Sequence, residues 1–156
     1  MPATHQKSRP FPWRCPACMM DEVVPSCVPY QIDIKHDGVL HAVSLPNLKV
    51  PRCRSCGELL FDDAADEQIN VALRELLQLL SPEQIRAGRV QLGVDQQQLA
   101  NDLGTRLETI ARCEDGSHIQ SKTLDNLLRV YFAVPGARAV LQGAASQIGV
   151  QPTNAG

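Results

Sequence analysis

Two short cysteine motifs constrain this chain more than any other feature. CPAC at 15–18 and CRSC at 53–56 each hold a pair of cysteines three positions apart. A CxxC turn aims two sulfurs at one point, and two such turns complete the tetrahedral four-thiolate shell that structural zinc prefers. The expected ligands are Cys15, Cys18, Cys53 and Cys56, holding one Zn(2+) per chain and leaving no open position for water. The 34 residues between Cys18 and Cys53 exceed the commonest spacing of about 15–20, so something must fold them back.

The sequence supplies that device. YQIDIKHDGVLHAVSL alternates apolar and polar residues on both sides of Asp37-Gly38, a strong two-residue hairpin signal. The turn sets His36 opposite Val39, Ile34 opposite His41, Ile32 opposite Val43 and Tyr30 opposite Leu45. All eight then share one face, so register and burial agree. A cluster of this size buries too little apolar surface to stand alone, and zinc would supply about 10–16 kcal/mol of apparent binding free energy toward its folding.

Other side chains compete for roles in this half. Cys27 lies close enough to the first motif to replace a ligand, but no second cysteine accompanies it. His36 and His41 flank the turn and read first as sheet residues and only second as ligands. A thioredoxin-like redox pair would need a βαβ setting that this segment lacks. Reduced thiols in metal-ligand spacing suit a cytoplasmic protein. The start lacks the apolar stretch of a signal peptide, and no run approaches the roughly 20 apolar residues of a membrane span.

The chain reads as α+β with two domains. Residues 1–14 look like a tail, 15–61 form the zinc-binding domain, and 62–80 a connecting helix. Along that helix Ile69, Ala72, Leu73, Leu76, Leu77 and Leu80 make one apolar stripe, and Val71 falls outside the pattern. SPEQ at 81–84 offers an N-cap, a first-turn proline and a capping-box glutamine. It opens an all-α domain of four or five helices over 81–134, followed by a partly helical tail over 135–156. Gly93 ends the first helix of that domain, Asp95 caps the second, and Gly104 makes a tight turn into RLETIARCE. The last pattern, SKTLDNLLRVYF, points Leu124, Leu127, Leu128 and Tyr131 inward.

The string IRAGRVQLGVDQQQLANDLGTRLETIARCEDG resembles the Cro/repressor-type (XRE) helix-turn-helix, in Gln96, Leu99-Ala100, Gly104, Ile110 and the Glu114-Asp115-Gly116 terminator. Joined to the CxxC…CxxCGE half, the chain is similar to the YgiT/MqsA group, which pairs a zinc-binding domain with a helix-turn-helix. The resemblance implies a dimeric DNA-binding transcriptional regulator. It also implies an alternative, an antitoxin or adaptor that holds a toxin protein through the zinc domain. Gln96 matches a position that touches the DNA backbone in that family.

On the helix after Gly104, Arg106, Glu108, Thr109 and Arg112 occupy the leading turn or the outward face. A guanidinium pairs bidentately with guanine, and a carboxylate accepts from cytosine, in the major groove. Lys122 is placed to meet a phosphate. Charge argues the other way. Residues 81–134 carry six Lys/Arg and seven Asp/Glu, not the basic footprint of a strong DNA binder. An enzyme using Cys113 with His118 as its base is the remote alternative, because Glu114 and Asp115 deny that thiol an electropositive setting. Cys113 precedes the terminator where the family usually carries an aromatic, and it reads as a small hydrophobe behind the helix.

Overall fold

The computed structural model describes residues 9–143, and the chain divides into two compact units, Met1–Leu76 and Leu77–Gly156. The architecture is α+β, with all the described strands in the first unit.

The first unit contains β1 (Val23–Val24), β2 (Cys27–His36), β3 (Val39–Lys49), β4 (Arg52–Cys53) and α1 (Asp63–Leu76). β2 and β3 form the expected hairpin, and all four expected cross-strand pairs are present. Asp37 and Gly38 both take positive φ, 49° and 79°, as the primed turns of two-residue hairpins require. Val43, Leu45 and Leu48 are buried on one face while Ser44 and Lys35 stand on the other. α1 packs along β3, burying Ala65, Ile69 and Leu73. The Gln68 amide accepts from the Lys49 N–H and donates to the Lys49 carbonyl, both at 2.9 Å.

Two boundaries differ from expectation. Trp13, within the stretch read as a tail, pairs with Val23 in a β-bridge and donates its indole N–H to the Arg9 carbonyl at 2.7 Å. Ordered structure therefore begins before the first cysteine; residues 1–8 lie outside the described residues. The helix expected over 62–80 ends at Leu76, and Gln78 is left-handed with φ 53°. The apolar stripe runs on in sequence, but Leu80 belongs to the core of the second unit. Its N–H is held by Asp125 and its carbonyl by Gln120. Those two bonds take the segment out of the helical ladder.

The second unit contains α2 (Pro82–Gln91), α3 (Gln96–Leu103), α4 (Leu107–Asp115), α5 (Lys122–Ala133) and α6 (Pro135–Leu141). Ser81 and Gln84 form the complete capping box, and Asp95 caps α3 by accepting from Gln98 N–H at 2.7 Å. Gly104 ends α3 in the left-handed region that only glycine enters without strain. The core gathers Ile85, Leu99, Ala100, Ile110, Cys113, Leu128 and Tyr131, each 0% exposed. Leu127 corrects the expectation for α5. It is exposed, and the fully buried Asp125 takes an inward position instead. Of the partly helical tail expected over 135–156, α6 is described and residues 144–156 lie outside the described residues.

Gly88, midway along α2, marks a close approach. A Cβ there would lie 2.6 Å from the Phe132 ring. Alanine normally gains about 1 kcal/mol over glycine in a helix, but overpacking costs about 1–3 kcal/mol. Gly88→Ala is therefore expected to lower the melting temperature of the second unit; an unchanged or raised value would show that the ring yields freely.

Candidate functional site

The two CxxC segments fold into matching knuckles. The Cys15 carbonyl accepts from Met19 N–H and the Cys15 N–H donates to the Met20 carbonyl. Cys53 repeats both bonds with Gly57 and Glu58. Met19 and Gly57 are correspondingly both left-handed, with φ 64° and 81°. Glycine takes that conformation freely, whereas methionine is strained in it. β1 pairs with β4, setting Val23 opposite Cys53, and this short ladder brings the knuckles together.

The sulfurs of Cys15, Cys18, Cys53 and Cys56 all lie within 4.8 Å of one another. Cys15 to Cys56 and Cys18 to Cys53 are both 3.6 Å. A tetrahedral site with 2.3 Å metal–sulfur bonds has edges of about 3.8 Å, so the cluster has the dimensions to hold a metal ion. The backbone N–H of Cys56 bonds the Cys53 sulfur and, helped by Ser55 N–H and the Cys18 and Cys56 thiols, brings Cys53 down to about 7 against desolvation. Glu58 N–H favours the Cys56 thiolate, but desolvation and the three neighbouring sulfurs outweigh it and push Cys56 up to about 12. Without a cation the four sulfurs cannot all ionise together; a divalent ion removes that conflict. Cys27 is exposed at the start of β2, and neither it nor His36 nor His41 joins the cluster.

In the second unit α3 and α4 are joined by the turn 104–106. Ile110 and Cys113 anchor the inner side of α4 in the core, while Glu108 and Arg112 face outward. Arg106 is exposed at the N-cap, and Thr109 is half-buried. Cys113 is 0% exposed, so its sulfur meets no solvent, and His118 stands exposed in the following loop.

Glu114 is the pivot of this arrangement. Its buried carboxylate accepts from Arg89 Nε at 2.6 Å, Arg89 Nη2 at 3.0 Å and Gln96 Nε2 at 2.8 Å. These bonds tie α2, α3 and α4 together. Gln96, expected at the DNA backbone, thus has one amide N–H committed to the interior. Burial by itself would raise Glu114, but the hydrogen bonds from Arg89 and Gln96 and the charges of Arg89 and Arg86 hold it below the usual carboxylate range. Lys122 is exposed, with its ammonium 3.7 Å from Asp125 and 3.4 Å from the Gln78 carbonyl.

Two further buried carboxylates escaped the sequence reading. Asp125 accepts from Leu80 N–H, Gln120 and Arg129. Asp102 accepts from the Tyr131 hydroxyl at 2.7 Å and from Gln98 and Gln142. Helical spacing was the signal available, since Asp102 follows Leu99 by three positions and Asp125 precedes Leu128 by three. No family model matches the chain, and no curated protein sequence matches it. Among the described residues no helix is long and apolar enough to cross a membrane.

Proposed function

We propose that this protein is a sequence-specific DNA-binding transcriptional regulator, active as a dimer in the cytoplasm, with zinc as the structural ion of its first unit. The observation that carries it is the presentation of α4. One side of that helix is buried on Ile110 and Cys113 and clamped through Glu114, while Arg106, Glu108 and Arg112 are left in solvent. A short helix held rigidly at its base with polar groups outward fits a major groove, and the resemblance to XRE repressors points the same way. Two copies would address two half-sites one helical turn apart. Zinc is favoured for the four sulfurs because a closed tetrathiolate shell suits it and leaves no vacancy for chemistry.

Selection of bound duplexes from a random pool tests the reading. The wild-type chain is expected to enrich one motif, and Arg112→Ala to relax it at the contacted base pair, a loss of about 1–3 kcal/mol. Affinity should fall steeply with salt. Enrichment of nothing by the wild type, or of the same motif by the variant, would remove α4 as the reading helix.

A further inference from the structure

Val71 breaks the apolar stripe of α1, and its position gives that irregularity a use. A groove of about 410 Å³ runs between β3 and α1, with Leu45, Pro46, Val71 and Ala72 among its lining. Val71 is 42% exposed. Glu67 and Glu75 stand four residues on either side of it in the same lining, about 12 Å apart along the helix. Among the described residues, no lysine or arginine lines the groove. Glu67 lies 3.7 Å from the buried Arg74 yet keeps 55% of its side chain in solvent.

The walls also decide what shape of partner fits. An incoming strand would need the free backbone groups of β3. Pro46 has no N–H to offer, and Gln68 already binds both the N–H and the carbonyl of Lys49. Strand addition is therefore disfavoured along the Pro46–Lys49 end of β3, where the groove lies. A helix needs no backbone pairing, only an apolar floor and matched charges at the rim.

We propose that this groove docks an amphipathic helix of a partner protein, apolar on one face and carrying Lys or Arg two turns apart along its edge. The proposal goes beyond the DNA reading and is independent of it, since every residue involved belongs to the first unit.

The test uses the zinc-loaded full chain and fluorescein-labelled helical peptides of roughly 18 residues, long enough to hold helical structure. One peptide carries a leucine stripe with two lysines eight positions apart; its twin carries glutamates there. At low salt the lysine peptide should bind about tenfold more tightly than its twin. Glu67→Lys/Glu75→Lys should invert that preference, and Val71→Asp should abolish binding of both. All three positions are exposed, and unchanged far-ultraviolet dichroism would confirm that the variants fold. Four outcomes would each overturn the proposal: no binding by either peptide, equal binding of both, a preference that survives the double reversal, or self-association of the chain that Val71→Asp abolishes. The last would make a second copy the occupant.

Discussion

Chelation of the zinc-loaded chain, or replacement of Cys53 by serine, is expected to unfold the knuckles while the helices of the second unit persist. The local core consists of Cys15, Val23 and Cys53, with Trp13, Cys18 and Leu60 packed on it. Three of those six side chains are among the four proposed ligands. The remaining apolar burial, at about 1.5–3 kcal/mol for each fully buried large side chain, cannot offset an ordering cost of about 1–2 kcal/mol per residue. Metal binding worth about 10–16 kcal/mol in small zinc peptides can. Trp13 is the single tryptophan, stacked on Phe11 at 4.3 Å, so its emission reports this region alone. It should shift to the red on chelation and return with about one equivalent of zinc. A cobalt-loaded chain should show thiolate charge-transfer absorption that Cys53→Ser weakens. Emission and melting unaffected by chelator would mean that the knuckles stand without metal.

Glu114→Ala is expected to cost the second unit about 3 kcal/mol, because removing one partner of a buried pair strands the other. The Glu114 side chain is 0% exposed and Arg89 only 15%. A loss of that size lowers the melting temperature by more than about 10 °C in a unit this small. Replacing both residues by methionine should cost less than the two single changes together, since no unpaired charge is left behind. The pH dependence follows from the depressed Glu114 carboxyl. A group whose folded value lies below its unfolded one stabilises fully above the unfolded value, about 4.3 for glutamate. That contribution disappears as pH falls through the folded value. Asp102 and Asp125 are likewise depressed: burial would raise both, and their hydrogen bonds, from Tyr131 to Asp102 and from Arg129 to Asp125, outweigh it. The second unit should therefore be near its full stability at neutral pH and weaken below about pH 4. Glu114→Gln should show a shallower acid slope. An identical slope would mean that Glu114 ionises alike in both states.

What could be read from residues alone was whatever local spacing dictates. CxxC geometry picked out Cys15, Cys18, Cys53 and Cys56, and Asp37-Gly38 with its flanking alternation set the hairpin register pair by pair. Ser81, Asp95 and Gly104 marked helix ends because caps and turns involve backbone groups only a few residues away. Periodicity placed Cys113 inside and Arg112 outside, four residues' worth of helix being enough to decide a face.

Long-range pairing decided the rest. Leu80 leaves the α1 stripe because Asp125 and Gln120 hold its backbone from 45 and 40 residues away. Asp125 displaces Leu127 from the inward face because a buried carboxylate is stable only where Leu80, Gln120 and Arg129 converge on it. Gln96 turns toward Glu114 for the same reason. The sequence by itself determined the local turns, the caps and the candidate metal ligands. Only the tertiary structure decided which polar side chains go inside, because burial of a charge depends on partners that no local pattern reveals.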